Sequence, residues 1–276
     1  MTMDGCRDFR VRDIRCTERG QGRILLCLHG IASSSTTFAA QMAGLGDDRR
    51  IVAWDAPGFG ESRDVSEPPG LVGYAAAAVE VIESLGAPVH LLGVAWGAAI
   101  ACRVAHDRPD LLASLVLVSA GRGDRENPDA AAALRRNVRK MDEVGPLRFA
   151  EAALPRMLSG SATPAQLADA IGITASAVRP AGYAHAVESL IETDLRPLLP
   201  ELGVSTLLLC GDEDPITGER ESRALHSAIR DSVQVTVTGA GHLANQDRPD
   251  SVNEWIAAYL DIVEHLDGEK EQVHVG

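Results

Sequence analysis

The sequence predicts an α/β fold, a mostly parallel sheet flanked by helices on both faces, with an inserted helical cap. Short apolar runs alternate with helical patterns along most of the chain, which is typical of a parallel sheet with helical connections. Most of these runs are too uniformly apolar for strands with one face in water. In one long interval the alternation stops and only helical patterns remain, which predicts the cap.

The apolar runs predict six strands in order along the chain. They span residues 24–28, 50–54, 89–93, 115–119, 206–210 and 234–238. Helical patterns follow several of them, at residues 74–85, 96–106, 219–229 and 249–263. The last ten residues, 267–276, are polar, and we expect them to be frayed.

The interval between the fourth and fifth predicted strands contains alanine-rich helical patterns. They span residues 129–144, 146–158, 164–171 and 182–191, with Gly and Pro between them. Ligands bind at the carboxyl ends of the strands in open α/β sheets, so an insertion here is placed to cover that edge. We therefore expect a core domain of residues 1–121 and 203–276, and a cap subdomain of residues 122–202.

Composition excludes several kinds of partner. The 276-residue chain has a formal net charge of −13, which opposes binding to nucleic acid or to an anionic membrane surface. Its five cysteines show neither paired nor metal-type spacing, and the first residues contain no apolar stretch that could act as a signal. We expect a cytoplasmic protein that acts on a small-molecule substrate, and the oligomeric state stays open.

Residues 91–101, LLGVAWGAAIA, have the frame of a nucleophile elbow, G-x-S-x-G, with Gly93 and Gly97 at its ends. Such an elbow holds a hydroxyl on a strained strand-to-helix turn above a sheet. Here the central position is Ala95. The chain therefore has the frame for a nucleophile without the hydroxyl.

Three further segments follow predicted strands. His29-Gly30 follows the first, Asp212 and Asp214 follow the fifth, and His242 lies in a small-residue loop after the sixth. Elbow, then acid, then histidine is the chain order of one known type of catalytic triad. Either aspartate can supply the carboxylate on this argument alone.

The segments LCLHGIASSS, VAWDAPGFGESR, LLGVAWGAAIA, LLLCGDEDPITG and GAGHLANQDRP together resemble the landmarks of the α/β-hydrolase fold superfamily. The end of the cap and the histidine loop are more particularly similar to the branch of 3-oxoadipate enol-lactonases and meta-cleavage-product hydrolases. The resemblance implies that His242 is the general base and that Asp214, which precedes a Pro-x-Thr stretch, orients it. Asp212 is then a turn residue.

The resemblance also implies an oxyanion hole and a substrate pocket. The backbone N–H groups of Ile31 and Trp96 are expected to form the oxyanion hole. The candidate substrate-binding residues are Ser33, Phe149, Met157 and Tyr183. No cofactor and no metal ion are expected.

The activity that the resemblance implies is hydrolysis of a small lactone, enol-lactone or ester through an acyl-enzyme at position 95. Two alternatives stay open: a C–C bond hydrolase of meta-cleavage products, and a catalytically dead relative that only binds a ligand. Ala95 is either a serine-to-alanine variant or the native residue. Because Asp214, His242 and both elbow glycines are present, we favour the variant and expect this chain to be nearly inactive.

Overall fold

The computed structural model of the chain describes residues 5–86, 88–125 and 127–273, and in this part of the chain eight strands form one sheet. The strands are β1 (Arg7–Val11), β2 (Ile14–Arg19), β3 (Ile24–Leu28), β4 (Arg50–Trp54), β5 (Val89–Val94), β6 (Leu112–Val118), β7 (Thr206–Gly211) and β8 (Ser232–Val237). Their spatial order is β1-β2-β4-β3-β5-β6-β7-β8. From β4 onward in this order all neighbours pair in parallel, and only β1 and β2 are antiparallel to their neighbours.

Helices connect the strands and cover both faces of the sheet. They are α1 (Ala39–Leu45), α2 (Gly70–Leu85), α3 (Trp96–Asp107), α4 (Pro128–Ala153), α5 (Pro164–Ala177), α6 (Pro180–Ile191), α7 (Gly218–Ala228), α8 (Ala244–Asp247) and α9 (Pro249–Val273). The predicted mostly parallel sheet with flanking helices is confirmed. Each of the six predicted strands is present with ends shifted by at most a few residues.

The hairpin β1–β2 was not predicted. Its strands carry charged residues at many positions, as in RDFRV, and β1 is largely exposed at the edge of the sheet. They therefore lack the continuous apolar runs that identify the central strands.

Alternate residues of the central strands face opposite sides of the sheet. In β3, Leu26 and Leu28 pack in one core with α2 and α3, whereas Leu25 and Cys27 pack in a second core with α1 and α9. All four side chains are fully buried. Burial on both faces explains why this strand is uniformly apolar in sequence.

Helices α4, α5 and α6 lie between β6 and β7 in the chain. Helix α4 is interrupted at Gly145, whose backbone (φ 76°, ψ 166°) is not helical, and Pro146 restarts the helix. Helix α5 begins with a capping box in which Thr163 and Gln166 exchange hydrogen bonds. The Gly-Pro break therefore falls where the sequence places it.

The prediction of a frayed tail is wrong for residues 267–273, because α9 continues to Val273. This stretch is polar, but Glu, Lys and Gln favour helices and so extend one that packing has already fixed. Residues 274–276 lie outside the described part of the chain. Across the described residues, we find no helix with both the length and the apolar character that crossing a bilayer requires.

Candidate active site

The turn between β5 and α3 is strained at Ala95. Its φ of 51° and ψ of −108° lie in a region that L-residues rarely adopt. The two glycines make the turn possible: a Cβ on Gly93 would lie 2.3 Å from Gly97 O, and a Cβ on Gly97 would lie 2.2 Å from Leu28 O. The elbow therefore depends on close backbone approach, and Ala95 projects from its apex at the carboxyl end of the sheet.

His242 is oriented by Asp214. The imidazole Nδ1 lies 3.1 Å from Oδ1 and 3.0 Å from Oδ2 of the carboxylate. Oδ1 also accepts hydrogen bonds from the N–H groups of Ile216 (2.8 Å) and Thr217 (3.2 Å), and Oδ2 accepts one from the Thr217 hydroxyl (2.7 Å). The carboxylate is therefore fixed on all sides by donors.

Burial alone would raise the pKa of Asp214, but hydrogen bonds and charge from His242, with the hydrogen bonds from Thr217 and Ile216, outweigh it and hold that pKa well below its ordinary value. The ionised carboxylate accepts a hydrogen bond from the Nδ1–H group of His242. The lone pair on Nε2 is then free to accept a proton, which is the requirement for a general base.

Asp212, the other candidate for the orienting carboxylate, makes a structural hydrogen bond instead. Its Oδ1 accepts a hydrogen bond from Gly239 N at 2.7 Å and so joins the loop after β7 to the loop after β8. Gly239 has a φ of 69°. The geometry therefore places Asp214 beside the imidazole and Asp212 in a turn.

One predicted oxyanion-hole donor, Trp96, belongs to the elbow, and the other, Ile31, lines the same small cavity as Ala95. Trp96 is the first residue of α3, so its backbone N–H is one of those that a helix leaves without an intrahelical acceptor. Ile31 follows the end of β3, and among the described residues its N–H has no hydrogen-bond acceptor. The Trp96 indole points away and donates to Ser189 Oγ of α6 at 2.9 Å, which ties the elbow to the cap helices.

His29 is a structural residue. It is fully buried, and burial lowers its pKa. Its Nε2 accepts the N–H of Ala56 at 3.0 Å, so Nδ1 carries the proton and donates to Gly30 O at 2.8 Å. Nearby, Asp55 accepts the N–H groups of Ser35 and Glu61. These bonds shape the strand ends rather than supplying a reactive group.

Two cavities meet at Ala95 and His242, which line both. The larger has a volume of about 600 Å³ and a mixed wall that includes the polar residues Ser119, Arg122 and Asp124. The smaller has a volume of about 70 Å³ and a mostly apolar wall.

The predicted substrate-binding residues divide into two pairs. Ser33 and Met157 line the smaller cavity. Phe149 and Tyr183 line neither of these two cavities; their rings pack against each other edge to face, 5.6 Å apart, and are buried. The structure brings the first pair to the site and leaves the second in the packing of the cap.

Three residues that were not predicted belong to the site. Thr217 donates to Asp214, and Ser119 lines the larger cavity with a buried hydroxyl that has no partner among the described residues. Asp247 accepts hydrogen bonds from Gly241 N (2.7 Å) and Ser159 N (2.6 Å), which joins the histidine loop to the cap. The Pro-x-Thr stretch and the HLANQD run carried signals for Thr217 and Asp247, whereas Ser119 follows an ordinary apolar strand.

The imidazole of the imidazole–carboxylate pair and the strained elbow border the same two cavities at the carboxyl edge of a mostly parallel sheet, the arrangement expected of an α/β-hydrolase. Residues 25–255 match the family described as Alpha/beta hydrolase family, and the chain belongs to that family.

Individual relatives are distant. The (E)-2-((N-methylformamido)methylene)succinate hydrolase of Acinetobacter baylyi is 24% identical over 248 residues, which cover 88% of this chain and 92% of that protein. The 3-oxoadipate enol-lactonase 2 of the same organism is 32% identical over 79 residues, 29% of each chain. A thermophilic esterase from Thermogutta terrifontis, solved with malate bound, has a TM-score of 0.84 and 29% identity, and the match covers 91% of this chain and 94% of the esterase.

Proposed function

We propose that this is the site of a serine-type hydrolase for small esters and lactones, in which Ala95 stands where the active parent carries serine. The observation that carries the proposal is that the imidazole of the Asp214–His242 pair and a strained elbow without a hydroxyl border the same cavities. The hydrolase names of the relatives agree with this chemistry, and the enol-lactonase supports a lactone among the substrates.

The reaction of the serine form has two halves. His242 Nε2 takes the proton of the hydroxyl while the hydroxyl oxygen attacks the carbonyl carbon, and the resulting oxyanion lies near the N–H groups of Ile31 and Trp96. Collapse breaks the bond to the alcohol, which leaves with the proton from His242. Water then repeats the sequence on the acyl-enzyme and releases the acid.

With Ala95, the first attack has no nucleophile. Only water activated by His242 can add to the carbonyl, without a covalent intermediate. By analogy with triad knockouts, such residual catalysis is roughly 10³–10⁴-fold over the uncatalysed reaction in water. This chain is thus expected to bind substrate and turn it over very slowly.

Restoring the hydroxyl tests the proposal. Ala95→Ser is expected to raise kcat/KM for aryl esters and lactones by roughly 10⁴-fold or more, and to give an acyl adduct at position 95 by mass spectrometry. Ala99→Ser is the matched control, because Ala99 lines the same cavity one turn further into α3. Equal activity of the two variants would contradict the assignment of position 95.

A second candidate function, ligand binding without turnover, is favoured by Ala95 itself. On this hypothesis the pocket binds a small molecule and the His242–Asp214 pair is inherited architecture. An inert Ala95→Ser variant that binds the same ligand as the unaltered chain would establish it. Calorimetric titration with the aryl esters and lactones measures the binding affinity of the unaltered chain and of Ala95→Ser.

A further inference from the structure

The smaller cavity is a separate compartment beside position 95. Core residues Ile31 and Val94 form one side of it, and cap residues Leu154, Met157 and Ile173 form the other. It contacts the larger cavity through Ala95 and His242, which line both. A carbonyl carbon bound at position 95 therefore has two different environments for its two substituents.

The wall of the smaller cavity is mostly apolar. Its polar side chains are Ser33, Thr37, Thr174 and Gln246. The Thr174 hydroxyl is already used, because it donates to Ala32 O at 2.8 Å. The wall thus contains no Asp, Glu, Lys or Arg side chain, and the Ser33 hydroxyl has no partner among the described residues. The mostly apolar wall favours a hydrocarbon over a charged substituent.

The wall is also fixed in place. Met157 O accepts hydrogen bonds from the N–H groups of His242 (2.7 Å) and Leu243 (3.3 Å), so the cap segment and the histidine loop cannot separate without breaking them. Leu154 is 3% exposed and packs in the small core of the cap. A substituent that exceeds the cavity on the side of Leu154 must therefore disturb close packing.

The two cavities differ in their route to solvent. The larger is bordered by Ile216, which is 58% exposed, so a leaving alcohol can depart through it. The smaller cavity has no exposed residue among the described residues that line it: Leu154 and Ala170 are buried, and Met157 and Ile173 are half-buried. It suits the group that stays attached after the alcohol has left, which is the acyl chain.

We propose that the smaller cavity is the acyl subsite and selects short, unbranched aliphatic acyl chains, while the larger cavity takes a bulkier, more polar leaving group. A dry cavity of about 150 Å³ holds benzene. The present volume of about 70 Å³ therefore corresponds to a chain of about two to four carbons. This inference rests on the proposed function for its chemistry, but the subsite itself can be measured by binding.

The binding test uses the unaltered chain and fatty acyl p-nitroanilides with two to eight acyl carbons. The nitroanilide ring is too large for the smaller cavity, so only the acyl chain can enter it. Affinity by titration calorimetry is expected to rise about fourfold per methylene up to about four carbons and then to fall. A steady rise to eight carbons would overturn the subsite.

Variants that enlarge the smaller cavity test whether it sets the preferred length of the acyl chain. We call the chain length above which affinity falls the break. Leu154→Ala is expected to move the break toward longer chains, by two or more carbons. Leu190→Ala is the matched control because Leu190 lines the larger cavity. Ile173→Ala, at a less buried position, gives the same test if the first variant does not fold. A break that Leu190→Ala moves as far as the cavity variants do would refute the assignment.

The kinetic test adds Ala95→Ser and the matching p-nitrophenyl esters. Beyond the break, each further methylene is expected to lower kcat/KM by at least tenfold. An inert serine form that keeps the chain-length break in binding would refute the proposed hydrolysis and leave the subsite standing. An active serine form without a break would do the reverse.

Discussion

Replacing Asp214 by Asn changes almost no volume but reverses one set of hydrogen bonds. We consider it in the Ala95→Ser background, where activity can be measured. The remaining carbonyl oxygen can keep the two backbone donors of Oδ1, from Ile216 and Thr217. The new NH₂ group takes the place of Oδ2 and faces two former donors, the Thr217 hydroxyl and His242 Nδ1.

The structure limits the cost in stability. The Thr217 hydroxyl has a second acceptor, Ser119 O at 3.2 Å, so it can turn without losing all its bonding. The substitution removes the negative charge that strengthens the hydrogen bonds accepted by the buried carboxylate. One hydrogen bond to a charged group contributes about 1.5–3 kcal/mol to the free energy of unfolding. We expect Asp214→Asn to lower the free energy of unfolding by about 1–3 kcal/mol, which leaves a folded protein.

The effect on catalysis is much larger. The carbonyl oxygen of the new side chain already accepts two N–H groups, so Nδ1 of His242 must accept from the NH₂ group instead of donating. The proton then moves to Nε2, which can no longer take one from the nucleophile. By analogy with a triad aspartate replaced by Asn, kcat should fall by about 10⁴-fold.

Three measurements check this prediction. Chemical denaturation gives the stability change, steady-state kinetics gives kcat, and nitrogen NMR of the labelled imidazole gives the tautomer. A variant that keeps kcat within tenfold of its parent, or that keeps the proton on Nδ1, would refute the role given to Asp214. The control is Asp212→Asn, whose carboxylate contacts Gly239 and not the imidazole.

The same variant has a pH signature. The folded state holds the pKa of Asp214 below its ordinary value of 3.8, so the ionised carboxylate contributes stability above that value. This contribution is lost as the pH falls through the lowered pKa. The stability difference between parent and Asp214→Asn should therefore shrink on acidification below about pH 4.

Further predictions concern the frame of the site. Gly97→Ala would place a Cβ 2.2 Å from a backbone oxygen and should lower the free energy of unfolding by at least 3 kcal/mol in denaturant titration, whereas Gly172→Ala, with open space around its Cβ, should raise it by about 0.5–1 kcal/mol. His29→Phe would leave the Ala56 N–H without its acceptor and should lower the melting midpoint, at a cost of about 1–3 kcal/mol. Ser119→Ala removes a buried hydroxyl that has no partner among the described residues, so the stability of the ligand-free protein should stay the same or rise by up to about 1 kcal/mol; a loss above 1 kcal/mol would show that this hydroxyl is bonded in the folded state.

The sequence was sufficient to predict a feature where a physical requirement allows only one type of residue. Strands buried on both faces must be apolar throughout, and for this reason the β3 and β7 segments were visible as uninterrupted runs. Gly93 and Gly97 were equally clear, because only glycine allows the backbone contacts of the elbow. The order of motifs predicted that His242 pairs with an aspartate of the loop after β7, and the resemblance to α/β-hydrolases selected Asp214 over Asp212.

The cap was less predictable because its apolar residues have two possible destinations. Met157 and Phe149 look alike in sequence, since both are apolar positions on amphipathic segments. In the structure Met157 lines the smaller cavity, whereas Phe149 packs against Tyr183. Which one contacts the pocket depends on the angle at which the cap helices cross the core, and helical periodicity within one segment carries no information about that angle.

The strained backbone at Ala95 is imposed by its surroundings. The backbone conformation of Ala95, with positive φ, costs roughly 1–3 kcal/mol and yet persists without a hydroxyl, so the strain comes from the surrounding contacts and not from the side chain at the apex. Those contacts include Ala95 N, which donates to Val118 O at 2.9 Å, and the glycines on either side. A Cβ is already accommodated at φ 51°, so Ala95→Ser adds only an oxygen and requires no change of the backbone. The strained turn is therefore a property of the frame, and under the proposed function the hydroxyl at position 95 is the variable that distinguishes a hydrolase from a binding protein.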